Sequence, residues 1–301
     1  MISLCLAALN QGPGLRKTIE SAIESFGPAN YEIIVVDDSS DDGSCEGLGD
    51  LAGVKVFRNE LNQGCTRSRY IASTKAIGDV LMFSDTHNTY PIAGLSRLAR
   101  FANNRGGIWQ CKLKFEGYHN QKTIIRSGFG LRIAKGGISS HLGEKRQKGT
   151  TSRHKVICSG PWAIRTDVYW RMGGTPRLPG RWGRYEPAVG LAAMRCKVPI
   201  RSDRKYTFTH HGYGDSRPYV LPPDDRIKNA FYLHAMCLPE TFDDYWHPLL
   251  TKTYGDMVEW WDGDLDEQRR DLDAASYYSE DEVLEQLFGD WESKWKVLMD
   301  R

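Results

Sequence analysis

The sequence has no C-x-x-C pair, and its seven cysteines are odd in number, with the closest two at Cys45 and Cys65. Those two absences argue against a zinc ribbon, a thioredoxin-type redox site and a disulfide-stapled scaffold, and they fit a reduced, cytoplasmic setting. Long apolar runs are also missing. Nothing approaches the roughly 18 consecutive apolar residues that a membrane span needs. The N-terminal stretch, Met1 to Gly14, lacks a basic n-region and is too short for a signal peptide's usual layout. An excess of one charge sign is absent as well, since 40 Lys/Arg face 38 Asp/Glu for a formal net charge of +2 over 301 residues. No internal repeat or low-complexity tract stands out. The hydrophobic fraction of 40% and charged fraction of 26% are those of an ordinary folded chain.

The near-zero sum hides two opposed windows. From Lys112 to Lys155, eleven Lys/Arg meet only Glu116 and Glu144, a net of +9. From Glu240 to Asp300, eighteen acids meet five Lys/Arg, a net of −13. Two solvated faces would account for this, and so would a basic patch for an anionic partner with an acidic tail beside it.

Along the chain, Ile2–Leu9 is a continuous apolar run ended by Asn10-Gln11-Gly12-Pro13-Gly14, which reads as a strand buried on both faces. Leu15, Ile19, Ala22, Ile23 and Phe26 then recur at helical spacing. Tyr31–Val36 and Val54–Phe57 read as strands, 64–77 as a helix, and Asp79–Ser84 as a fourth strand. A helix is predicted over 88–107, short strands and loops over 108–155, and a strand over Val156–Ile164. A helix follows from about Ala188 to Cys196, then a short strand at Tyr206–Thr209. Residues 224–301 read as acidic, aromatic-rich helices, with Val283, Leu284, Leu287 and Phe288 forming one packing face. Strand and helix alternating at these lengths predict an α/β fold with an open, mostly parallel sheet, whose ligands bind beyond the carboxyl ends of the strands.

Polar clusters sit at those ends. Gly12 and Gly14 fit two positions of a dinucleotide-binding G-x-G-x-x-G, but Lys17 takes the third, which argues against that site. Asp37 and Asp38 can hold a ribose hydroxyl or a base N–H, or with Ser39 and Ser40 simply cap a turn. Asp85 and His87, two residues apart in a turn, can reach one divalent ion, and their oxygen and nitrogen donors suit Mn²⁺ or Mg²⁺ beside phosphate. His210 or His211 offers a third ligand. Glu186 precedes a helix, where it either caps the N-terminus or meets a sugar, while Trp162, Trp182 and Tyr185 are aromatic faces for a sugar or a base, or core residues.

Taken in order, Asn10 after strand one, Asp37-Asp38 after strand two, the N-x-G-x₄-R of Asn62, Gly64 and Arg69, and Asp85-Thr86-His87 resemble the GT-A fold glycosyltransferases. The N-terminal half resembles family 2 glycosyltransferases, with Asp37-Asp38-Ser39-Ser40 in place of VDDGS. Asp85-Thr86-His87, Ser159 to Ile164, Thr209-His210 and the Trp182 to Glu186 loop are similar to polypeptide N-acetylgalactosaminyltransferases. The resemblance covers about residues 2–215. It implies a Rossmann-like GT-A fold with a helical C-terminal extension: a glycosyltransferase domain over 1–223, split into a nucleotide half (1–107) and an acceptor half (108–223), and an extension over 224–301. It further implies a metal held by Asp85, His87 and His210, a UDP-sugar donor held by Asn10, Asp37, Asp38 and Asp85 with Arg69 in support, and Glu186 and Trp182 at the sugar or acceptor. The W-G-G-E-N of the family appears as Trp182-Gly183-Arg184-Tyr185-Glu186-Pro187. Where many family 2 enzymes carry an Asp base, Pro187 stands, so retention of configuration is expected over inversion by that residue.

The expected activity is therefore metal-dependent transfer of a hexose from a nucleotide diphosphate sugar to a hydroxyl. The +9 window, with Trp109, Phe115, Tyr118 and Phe129 interleaved, suits a phosphate backbone and makes DNA carrying a 5-hydroxymethylpyrimidine such as hydroxymethylcytosine the leading acceptor. That is the chemistry of phage-type DNA-modifying glycosyltransferases, with the host cytoplasm as the setting. The alternatives are a protein Ser/Thr or saccharide acceptor, a non-catalytic nucleotide-sugar or nucleic-acid binding module, and a nucleotidyltransferase.

Overall fold

The computed structural model describes residues 1–117, 124–126, 129–142, 151–158, 160–213, 219–255 and 263–300. β1 (Ile2–Ala8) is apolar on both faces and forms the centre of a parallel four-strand block with β2 (Tyr31–Asp37), β3 (Val54–Arg58) and β4 (Val80–Ser84), in the order β3-β2-β1-β4. Its crossovers are α1 (Gly14–Phe26), which buries an apolar face, and α2 (Cys65–Thr74), which packs on β1 and β2 through small and polar residues, and α3 (Gly94–Arg105) packs against α1. Sequence patterning marked all of these except the start of α3.

Beyond β4 the sheet becomes mixed. β11 (Trp162–Arg165) runs antiparallel to β4, and β6 (Ile108–Glu116) antiparallel to β11. β12 (Ile200–His211) then runs parallel to β6, and β10 (Thr151–His154) closes that edge antiparallel to it. Two reversals restore the direction of β4, so β1, β2, β4 and β12 all end on the same side of the sheet. β5 (Asn88–Thr89) pairs with β12, β7 (Ile124–Arg126) pairs with β6, and β8 (Phe129–Ala134) with β9 (Gly137–Leu142) forms a separate hairpin.

Several expected boundaries shift, each for a local reason. The helix expected over 88–107 begins only at Gly94, because Asn88 turns its amide inward to Ser84 Oγ (2.8 Å), residues 88–89 pair with β12, and Pro91 interrupts. Val156, Ile157 and Cys158 are buried as their apolarity suggests, but the strand is only 162–165. Pro161 has no N–H to give a ladder, and a Cβ at Gly160 would lie 2.3 Å from Leu113. β12 extends well past the expected 206–209.

The C-terminal residues are helical. α4 (Thr166–Arg171) and α5 (Tyr185–Arg195) precede α6 (Pro223–Cys237), α7 (Pro239–Thr241), α8 (His247–Tyr254), α9 (Gly263–Ala275), α10 (Glu280–Phe288) and α11 (Trp291–Met299). Val283, Leu284, Leu287 and Phe288 are buried on α10, which packs against α5. Some acids of the acidic window are engaged within the chain: Asp264 pairs with Arg67 and Arg177, and Asp273 with Arg195 at 2.8 Å. In the basic window, Lys114 pairs with Glu116, Lys155 donates to Leu287 O (2.5 Å), and Trp109 is core, giving its indole N–H to Gly106 O. Tyr118, Lys122, Glu144, Lys145, Arg146 and Lys148 of that window, like Ser159, lie outside the described residues. All seven cysteines are free thiols, and no helix among the described residues is long and apolar enough to cross a membrane.

His234 joins α6 to the hairpin. It is fully buried, its Nδ1 donates to Ala230 O (2.6 Å), and its Nε2 accepts the N–H of Ile138 (2.9 Å). Gly137 lies flat on the ring, where a Cβ would come within 2.4 Å of it. Burial pulls the imidazole pKa down from its ordinary 6.5 to about 3. The unfolded chain therefore takes up a proton that the native state refuses. Stability is full above pH 6.5 and falls as pH drops from there toward 3, by up to about 1.4 kcal/mol per pH unit from this group. His234→Gln, which keeps an acceptor for Ile138, is expected to flatten the pH dependence of the urea midpoint across that window relative to wild type.

Candidate active site

The turn after β1 and the loop after β2 are laced together. Asn10, at φ 50°, accepts the N–H of Asp41 on its Oδ1 (2.9 Å), and its own N–H donates to Ser40 Oγ (3.0 Å). Asp37 pairs with Arg58 and accepts the N–H of Ser40 (2.8 Å). Both residues thus sit behind the wall of the cavity described below and do not line it. Asp38 does line it. Its Oδ1 accepts from Asn59 Nδ2 and the N–H of Gln63, and its Oδ2 from the N–H of Gly64, each at 2.8 Å.

Gly64 explains the N-x-G spacing. It caps α2 at φ +85°, and a Cβ there would lie 2.6 Å from Arg181 Cα. Only glycine combines that dihedral with so close an approach. The contact seats α2 on the 178–184 loop, with the N–H of Cys65 donating to Arg181 O (3.0 Å) and Thr66 Oγ1 accepting the N–H of Leu178 (3.0 Å).

One turn further along, Arg69 reaches the end of β4. Its guanidinium, buried with only 8% of the residue exposed, pairs with Asp85 and lies over the Tyr185 ring at 4.5 Å. His210 Nε2 stands 2.9 Å from the other Asp85 oxygen and 3.1 Å from His87 Nε2. One ligand atom each from Asp85, His87 and His210 fit within 4.8 Å of one another. Burial alone would raise the Asp85 carboxyl, but Arg69 and His210 more than offset it and hold its pKa well below the usual carboxylate range. Burial likewise draws His87 down to about 3, against the pull of Asp85. One carboxylate kept ionised and two imidazoles, His87 kept neutral, make a donor set that fits Mn²⁺. Strand alternation decides between the adjacent histidines: His210 is buried against Asp85, while His211 faces outward to Thr89 and Glu116.

Trp182 and Glu186 come from the loop opposite. Asn229 on α6 donates to the carbonyls of Trp182 (3.1 Å) and Gly183 (2.9 Å), and Arg184, at φ 65°, donates to Gly136 and Ile138 carbonyls of the β8–β9 hairpin. Glu186 lies in the first turn of α5, where the helix dipole favours an acid. Pro187 is buried in the same helix. Arg69, Asp85, His87, His210, Asp38, Trp182 and Glu186 all line one cavity of about 390 Å³ at the strand ends, a size that suits a nucleotide sugar. Gln11, from the turn after β1, also lines it, as do Tyr213, Arg181 and Arg226, which nothing in the sequence marks. Arg226 lies 5.3 Å above the Trp182 ring, and the Tyr213 hydroxyl meets Gln11 across 202 positions of sequence, a separation no local spacing reveals.

Removing one partner of a buried charge pair strands the other. Arg69→Met is expected to lower unfolding free energy by about 3–5 kcal/mol in chelator-treated protein. Adding Asp85→Asn to it should return at least about 1 kcal/mol, a coupling readable by urea titration of the two single variants and the double.

The family model for Glycosyl transferase family 2 matches residues 3–173. Among curated relatives, a probable N-acetylgalactosaminyltransferase 9 of Caenorhabditis elegans is 22% identical over 268 residues, covering 81% of this chain and 46% of that protein. N-acetylgalactosaminyltransferase 4 of Drosophila melanogaster is 24% identical over 272 residues, covering 85% and 42%. The chain thus spans less than half the length of these relatives. A solved structure of GalNAc-T7 with UDP, GalNAc and Mn²⁺ superposes with a TM-score of 0.72 at 19% identity, covering 98% of this chain and 58% of that one. S. aureus TarS 1-349 with UDP-GlcNAc gives 0.59 at 15% identity, covering 99% and 79%. The fold is GT-A, it resembles that of the polypeptide N-acetylgalactosaminyltransferases, and the chain belongs to Glycosyl transferase family 2.

Proposed function

We propose that the chain is a metal-dependent glycosyltransferase that moves a hexose from a UDP-sugar to a hydroxyl acceptor. The observation that carries this reading is the convergence of Asp85, His87 and His210 on one cavity with Asp38 and Glu186. Asp85, His87 and His210 hold a divalent cation, Mn²⁺ in the first instance. Bound there, the cation offsets the negative charge that develops on the departing diphosphate. Asp38, fixed by three donors, faces the nucleoside, while Asn10 and Asp37 act from behind by shaping the turn against which it lies. Arg69 keeps Asp85 charged and oriented. Glu186 and Trp182 meet the sugar or the acceptor. Since Pro187 offers no base, transfer with retention is the favoured course.

For the acceptor, the relatives named as polypeptide N-acetylgalactosaminyltransferases favour a Ser/Thr hydroxyl over the DNA hydroxymethylpyrimidine suggested by composition. The internal use of Lys114 and Lys155 and the burial of Trp109 also weaken the phosphate-backbone reading of the basic window. DNA stays as the second reading because eleven cations fall in that window.

Purified protein with Mn²⁺ and UDP-GalNAc is expected to release UDP, and EDTA to abolish the release. Asp85→Asn should lower the rate at least about a hundredfold, corresponding to loss of several kcal/mol of charge stabilisation. A parallel assay with Ser/Thr peptide and hydroxymethylcytosine DNA separates the acceptors: product on the peptide supports the first reading, and product on DNA alone, weakened by salt, supports the second.

A further inference from the structure

His87 can serve as a ligand through Nε2 only if its proton resides on Nδ1, and three hydrogen bonds outside the triad bear on where that proton lies. Gln11 Nε2 donates to Leu9 O at 2.7 Å, which fixes the amide with Oε1 turned toward the cavity. That oxygen has no proton and only accepts, so the Tyr213 hydroxyl, 2.5 Å away, is the donor. Having spent its one proton on Gln11, the Tyr213 oxygen meets His87 Nδ1, at 2.7 Å, as an acceptor. A lone pair of the same oxygen is left to accept the Nδ1 proton of His87. Each proton position follows from the one before it. The lone pair of His87 Nε2 is left facing His210 and Asp85.

We infer that Tyr213 and Gln11 are positioning residues that set the His87 tautomer for metal binding. Neither touches the ion, and they act through the Nδ1 proton, as outer-shell acceptors do for ligating histidines. The pair also ties the turn after β1 to the residues just beyond β12, so the side of the cavity that receives the nucleotide and the metal ligand on β4's end share one hydrogen-bonded link. The ring of Tyr213 lies 4.7 Å from that of His87, which limits imidazole rotation as well.

The inference rests on reading the triad as a metal site, and the test separates the two. Mn²⁺ alone, followed by the loss of its free-ion EPR signal, is titrated into the full chain as wild type, Tyr213→Phe, Gln11→Met and the double variant. Tyr213→Phe and Gln11→Met are each expected to raise the Mn²⁺ Kd about 10–100-fold, and the double no further, since both break the same proton chain. A purely structural role would instead lower the thermal midpoint of metal-free protein and leave Kd unchanged. Wild-type binding with both single variants unchanged overturns the inference while leaving the metal site standing. Absence of Mn²⁺ binding by wild type overturns both, because the tyrosine then has no ligand to orient.

Discussion

Everything at the cavity floor depends on how the fold keeps a carboxylate charged where water is scarce. Asp85 follows the last residue of a fully buried strand, where an isolated charge is expensive. Arg69 neutralises it from α2, and His210 hydrogen-bonds its other oxygen from β12. Three elements distant in sequence are therefore locked at one carboxylate. The guanidinium in turn lies over Tyr185, which starts α5, so the helix that presents Glu186 is indexed to the same point.

The sheet topology supplies the rest. Two antiparallel steps through β11 and β6 return β12 to the direction of β4, and that alone brings His210 to the edge where the N-terminal block delivers Asp38 and Asp85. Gly64 lets the 178–184 loop sit directly on the start of α2. Helix α6 then holds the Trp182 carbonyl through Asn229, so the C-terminal helices shape the cavity wall as well as packing on α5 and the β8–β9 hairpin.

The sequence made the strand ends legible because buried strands are written as short apolar runs and their ends as polar clusters. The cluster of Asp85, His87 and His210 was readable for that reason, while only strand alternation separates His210 from His211. Asn10 and Asp37 stand at the strand ends that the sequence marks, but both face the turn between β1 and β2, and a side chain's partner across tens of residues leaves no periodic trace. The same limit hid the link between Gln11 and Tyr213. The charge windows say less than their sums suggest, since formal sums count charges without partners. Asp264, Asp273, Lys114 and Lys155 are all engaged inside the chain. The helix expected over 88–107 starts late because Asn88 donates to Ser84 and residues 88–89 pair with β12 in place of a helical turn.

A divalent cation among Asp85, His87 and His210, against the diphosphate of a nucleotide sugar, is the proposal on which the others rest. Crystals grown with Mn²⁺ and UDP, with diffraction collected above the manganese absorption edge, test it. One anomalous peak within bonding distance of all three side chains is expected, with UDP beside it and the nucleoside toward Asp38. A peak elsewhere, or UDP bound with no manganese at the triad, would contradict it.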